Sequence, residues 1–115
     1  MAYDESLAGR VRTAVASRRG VGERKMFGGL AFLLNGKMFC GVLGEELMLR
    51  LGREAGTAAL KRTHVRPMDF TGRPMSGYVF VGARGVSTAA AVERWIEQAV
   101  RFLTQLEGGK TRRPS

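Results

Sequence analysis

The dipeptide Asn35-Gly36 stands between two apolar runs, and it constrains the fold more than any other feature of the sequence. Both central positions of a two-residue hairpin turn require positive φ, which asparagine and glycine accept, so the pair predicts two adjacent antiparallel strands. Gly44-Glu45 predicts a second tight turn soon afterwards. Together the two turns predict a three-stranded antiparallel unit over residues 29–34, 37–43 and 46–51.

Segments in which apolar residues recur at helical spacing flank this unit. They predict helices over residues 4–19, 53–62 and 88–106. Gly20 is expected to cap the first helix, and Ser87 or Thr88 is expected to begin the last one. The three-stranded unit is therefore expected to be bracketed by helices.

The remaining segments complete the predicted order, which is helix, three strands, helix, one or two strands, and helix. Aromatic and β-branched residues predict a strand over residues 77–81, and Pro67 and Pro74 predict a loop or turn before it. Hairpin strands between helices are typical of an α+β domain with a mainly antiparallel sheet. We assign residues 1–107 to one such domain and expect residues 108–115 to form a flexible basic tail.

The predicted turns also set the register of the strands, with Phe32 opposite Phe39. In this register one face of the sheet is apolar and should be covered by helices; it comprises Ala31, Leu33, Met38, Cys40, Val42, Leu47, Leu49 and Leu51. The other face carries Lys37, Glu46 and Arg50 together with six large apolar residues, Leu30, Phe32, Leu34, Phe39, Leu43 and Met48. An apolar patch of that size predicts an interface with a second copy or a protein partner, unless a helix or the segment around Phe70 covers it.

The charge of the chain is unusual, with 19 Lys and Arg against 10 Asp and Glu and a net charge of +9. Such a field attracts polyanions, and the candidate phosphate-binding residues are Lys61, Arg62, Arg66 and Arg73. The alternative is a solvated basic loop that only aids solubility. No apolar run approaches the ~20 residues that a membrane-spanning helix needs.

The residue types that carry most enzyme chemistry are scarce. Cys40 is the one cysteine and His64 the one histidine, and together they supply too few ligands for a zinc site. A catalytic Cys-His pair also needs an orienting group, and Cys40 lies in the interior of a predicted strand. We expect Cys40 to be a small buried hydrophobe, His64 a surface residue, and Asp69 a structural partner of Arg66 or Arg73. A single cysteine also fits a reducing cytoplasm. No catalytic, metal-binding or cofactor-binding residue is predicted.

Several segments resemble the N-terminal domain of the TfoX/Sxy family of bacterial competence regulators. They are KMFGGLAF at residues 25–32, NGKM at 35–38, RPMDF and GRPM within 66–75, and GYV at 77–79. The resemblance extends over residues 3–106 and implies a two-layer fold of the secretion-chaperone-like type, with the order α-β(3)-α-β(2)-α. This order agrees with the one predicted from turns and periodicity.

The resemblance also implies a function. Regulators of this family switch on DNA-uptake genes together with the cyclic-AMP receptor protein, and they carry a second, helical domain after this one. We therefore expect a non-enzymatic regulatory or protein-interaction domain. Two alternatives stay open: a nucleic-acid-binding module that uses the basic loop, and a small enzyme of unrecognised type.

Overall fold

The computed structural model describes residues 3–26, 28–69 and 74–112. Within these ranges, three α-helices and six strands follow one another, with a short 3₁₀ helix at Ala83–Val86 before the last α-helix. The elements are α1 (Glu5–Ala14), β1 (Val21–Met26), β2 (Gly29–Leu34), β3 (Lys37–Leu43), β4 (Glu46–Arg50), α2 (Arg53–Ala59), β5 (Val65–Asp69), β6 (Pro74–Val81) and α3 (Ala89–Arg112).

The strands form one open antiparallel sheet in the order β1-β2-β3-β4-β6-β5, which confirms the α+β fold and the expected order of helices and strands. The first group of strands is extended by β1, which sequence periodicity did not predict. The segment around Pro67, expected to be a loop or turn, is strand β5. Proline is tolerated there because β5 is an edge strand, where a missing N–H removes no ladder bond on the open side.

The structure confirms Thr88 as the N-cap of the last helix and corrects other predicted helix ends. Helix α1 begins after Asp4, whose Oδ1 accepts a hydrogen bond of 2.9 Å from the Ser6 N–H, and it ends at Ala14. Gly20, with φ +83°, turns the chain into β1 and does not cap the helix. Helix α3 begins after Thr88, whose Oγ1 accepts from the Ala91 N–H at 3.1 Å, and it continues to residue 112 instead of ending near 106.

All three helices pack on one face of the sheet. Along β4 and β6 the side chains alternate, so that Leu47, Leu49, Val79 and Val81 join the core under the helices, whereas Met48 and Phe80 point to the other face. The helices contribute residues such as Leu7, Val11, Trp95, Ile96 and Leu103 to this core. Among the described residues, the second and smaller apolar cluster on the other face contains only strand residues.

The predicted register of β2 against β3 is wrong because β3 contains a β-bulge. Leu33 pairs with Met38 as predicted, but the next pair is Phe32 with Cys40, so Phe39 is an extra residue in β3. A slip of one residue moves every following side chain to the opposite face. The predicted placement of Leu30, Phe32 and Phe39 on the solvent-exposed face is therefore wrong, because all three are buried in the core under the helices.

The same correction applies to the rest of the predicted patch. Leu34 packs, half-buried, against the helix-covered core, whereas Leu43 and Met48 lie on the opposite face as predicted. Ala31 and Met38, expected under the helices, instead line a groove on that opposite face. The helix-covered face keeps Cys40, Val42, Leu47, Leu49 and Leu51.

This placement predicts a large stability effect for Phe32→Ala. The Phe32 side chain is 0% exposed, so its truncation should lower the free energy of unfolding by about 3–5 kcal/mol. Leu60→Ala is the matched control, because Leu60 is 41% exposed and its truncation should change the free energy of unfolding by no more than about 0.5 kcal/mol. Denaturant titration measures both values. Equal effects would place Phe32 on the solvent-exposed face.

Candidate functional site

The sheet face without helices holds an apolar groove of about 290 Å³. Every strand contributes to it, since the lining comprises Met26, Leu30, Ala31, Met38, Gly41, Val42, Leu43, Met48, Met68, Tyr78 and Phe80. Tyr78 is the one side chain in this lining that carries a hydroxyl group. A concave apolar surface on a small domain is typical of a binding site.

The floor of the groove is low in its centre because small residues meet there. Ala31 pairs with Gly41, and Gly41 pairs with Met48 on the next strand. A Cβ atom at Gly41 would lie 3.1 Å from the Leu30 carbonyl oxygen and 3.5 Å from the Met48 Cε atom. Any side chain at position 41 would therefore fill the floor of the groove.

Methionine forms the walls. Four of the chain's 6 methionines line the groove: Met26, Met38, Met48 and Met68. Met48 and Met68 are buried against Phe80, and Met38 is half-buried beside them. The unbranched, polarizable thioether side chain adapts to differently shaped partners, and for this reason methionine is common on surfaces that bind several of them.

Charged side chains lie at the two edges of the sheet beside the groove. On β5, the Arg66 guanidinium lies 4.5 Å from the centre of the Phe80 ring, and its Nε donates to Glu46 Oε2 at 2.8 Å. On β1, the exposed Arg24 pairs with Ala31 and therefore lies on the same face. The groove thus has an arginine at each edge of the sheet.

The structure does not bring the predicted basic residues together on one face. Lys61 and Arg62 follow α2, and the Arg62 guanidinium lies 4.8 Å from the centre of the Trp95 ring of α3, on the helix side. Arg66 lies on the opposite side of the sheet, against Phe80. Arg73 lies outside the described residues. Nucleic-acid binding by these four residues stays a prediction.

Cys40 and His64, the cysteine and the histidine of the chain, have structural contacts. Cys40 is buried in the core, and this burial raises the pKa of its thiol well above the usual range. His64 is exposed, and its carbonyl oxygen accepts from the Gly82 N–H at 2.7 Å. Arg66 pairs with Glu46. The side chain of Asp69 lies outside the described part of the chain, so its pairing with Arg66 or Arg73 stays a prediction.

Gly28 and Gly29 lie where β2 begins, and Gly29 has a packing role. A Cβ atom at Gly29 would approach the Val42 carbonyl oxygen to 2.5 Å, so β2 and β3 leave no room for a side chain there. Gly28, next to it, has φ +77°. Close packing of the backbone therefore accounts for the glycine at position 29.

Sequence patterns missed most of the groove for a physical reason. Met26 and Met68 belong to strands that periodicity did not predict, and Met38 was assigned to the wrong face by the unbulged register. The signal present in the sequence was the placement of methionines next to strand residues of the core, as at Met48 between Leu47 and Leu49.

Comparison with known proteins gives one family. The sequence model of the family of TfoX N-terminal domains matches residues 13–103, a range that includes all six strands and most of α3. No significant match was found among curated proteins or among solved structures. Within the described ranges, no helix has the length and apolar character needed to cross a membrane.

Burial of Cys40 predicts an unreactive thiol. In the native protein at pH 8, a thiol reagent such as Ellman's reagent should react far more slowly than with the same protein in denaturant, because the thiolate is disfavoured and inaccessible. The absorbance change after mixing measures both rates. Equal rates in the two conditions would show that Cys40 is accessible.

The nucleic-acid hypothesis makes its own prediction. If Lys61, Arg62, Arg66 and Arg73 contact phosphates of duplex DNA, log K should fall with log salt by about 0.9 per phosphate. Replacing all four with alanine should then flatten the slope by roughly three to four units. An unchanged slope, or no binding at low salt, would contradict the hypothesis.

Proposed function

Because the chain belongs to the family of TfoX N-terminal domains, we propose that it is a non-enzymatic, cytoplasmic regulatory domain that acts by binding another protein. The proposed role is in transcription regulation of the kind that controls DNA uptake. The observation that carries the proposal is the methionine-rich groove on the sheet face that the helices leave open.

The chemistry of the groove supports binding more than catalysis. Proton transfer needs a positioned acid or base within hydrogen-bonding reach of the reacting group. Tyr78 is the one titratable residue in the lining. In the described part of the chain, no three His, Cys, Asp or Glu residues are grouped as a metal site requires. The buried free thiol of Cys40 is in keeping with a reducing compartment.

A partner of different sequence is favoured over a second copy. Each copy of the chain carries a net charge of +9, so two copies repel one another at low ionic strength. A homodimer through this face would have to overcome that repulsion, whereas an acidic partner would be attracted. Light scattering at micromolar concentration separates the two cases.

The proposal is tested by comparing transcript levels in the native host after deletion of the gene and after single replacements. Met38→Lys places a charge in the groove at a half-buried position, and it should change the same transcripts, in the same direction, as the deletion does. Leu60→Lys makes the same kind of change at an exposed apolar residue outside the groove lining and should leave these transcripts at native levels.

Two results would contradict the proposal. A deletion that changes no transcript would remove the regulatory role. A Met38→Lys protein that is folded, present at native abundance and fully active in regulation would show that the groove is not needed.

A further inference from the structure

We propose that the groove binds an acidic amphipathic helix of a partner protein, with the apolar side of the helix on the methionines and its carboxylates near the arginines at the sheet edges. This inference rests on the proposed function and adds the chemistry of the partner.

The open face offers side chains to a partner and no backbone groups. β2, β3, β4 and β6 each have a hydrogen-bonded neighbour on both sides, so their N–H and C=O groups are used within the sheet. A partner strand would add at an edge, on β1 or β5, and would not enter the groove. A helix, whose own backbone is satisfied internally, fits such a face.

The dimensions suit a helix of moderate length. The lining extends from Met26 on one edge strand to Met68 on the other, across six strands. Five spacings of about 4.8 Å give roughly 24 Å, the length of about 16 helical residues. The low floor at Ala31 and Gly41 leaves room for large side chains of the helix, and the methionines can adjust around them.

The charge favours acidic residues next to the apolar stripe of the partner. Arg24 is exposed at one edge, and Arg66 at the other edge already holds the carboxylate of Glu46. The net charge of +9 attracts an acidic segment over a longer range and speeds its association. In the groove lining, the Tyr78 hydroxyl is the one side-chain group that could donate to a phosphate, so a nucleic acid does not suit this face.

The probe is a synthetic, fluorescein-labelled peptide of about 16 residues, with leucines at positions i, i+3, i+4 and i+7 and glutamates on the remaining face. A second peptide carries lysines in place of the glutamates. Fluorescence anisotropy with the full chain should show at least about tenfold tighter binding of the acidic peptide. Equal affinity for the two peptides, or tighter binding of the basic one, would overturn the proposal.

Variants of the protein test whether the acidic peptide binds in the groove. Met38→Lys and Leu43→Lys, both at half-buried groove positions, should weaken binding of the acidic peptide by at least about tenfold. Leu60→Lys should leave the affinity unchanged, and circular dichroism checks that all three variants are folded. Should Met38→Lys and Leu43→Lys bind like Leu60→Lys, the helix does not occupy the groove.

A charge reversal tests the edge. Arg24→Glu should weaken the acidic peptide by about threefold to tenfold and strengthen the basic one. Arg94→Glu, at an exposed position on α3, has the same charge change and should have the smaller effect on both peptides. Equal effects of the two reversals would show that net charge alone accounts for the attraction, and they would contradict a defined site.

The two proposals can fail separately. If neither peptide binds while Met38→Lys still abolishes regulation in the host, the regulatory function stands and the helix partner is wrong. If the acidic peptide binds at the groove while deletion of the gene changes no transcript, the binding site stands and the regulatory function is wrong.

Discussion

The extra residue at Phe39 is the constraint on which the two-sided character of this sheet depends. Because Phe39 and Cys40 both stand opposite Phe32, β2 and β3 present Leu30, Phe32, Cys40 and Val42 to the helices. Without the bulge, the aromatic pair of Phe32 and Phe39 would face away from the helices, and Met38 and Ala31 would lie beneath them. The bulge thus places Phe32 and Phe39 in the core and leaves Ala31 and Met38 for the groove.

Contacts between the helices and the strands hold all three helices on the face of the sheet that carries the core. Helix α2 packs directly on the backbone of β6, since a Cβ at Gly56 would lie 3.0 Å from the Gly77 Cα, and the Gly77 carbonyl accepts from Leu51 N–H at 2.8 Å. Arg12 of α1 donates to Glu23 of β1 at 2.8 Å, and this hydrogen bond lowers the pKa of the Glu23 carboxyl. Such exposed pairs contribute at most about 1 kcal/mol each. The apolar core supplies most of the stability, and the opposite face remains open for binding.

Local sequence signals predicted the elements that short-range chemistry determines. Asn35-Gly36 and Gly44-Glu45 placed β2, β3 and β4 almost to the residue, since turn positions with positive φ have few acceptable residues. Strand β1 is exposed and charged, so it lacks the alternation of apolar residues that predicts a strand. Pro67 is typical of a loop or turn, and for this reason β5 was not predicted. No residue type marks the bulge, because Phe39 and Cys40 are ordinary strand residues. The predicted patch was therefore right for Leu43 and Met48 and wrong for Leu30, Phe32 and Phe39, which pack in the core.

The register of β2 against β3 is measured directly by cross-strand nuclear Overhauser effects between backbone protons in solution. The structure predicts contacts that link Leu33 to Met38 and Phe32 to Cys40, with Phe39 lacking a directly opposite residue of its own. Contacts that instead link Phe32 to Phe39 and Ala31 to Cys40 would show a continuous hairpin. That result would return the aromatic pair to the open face and contradict the account of both the core and the groove.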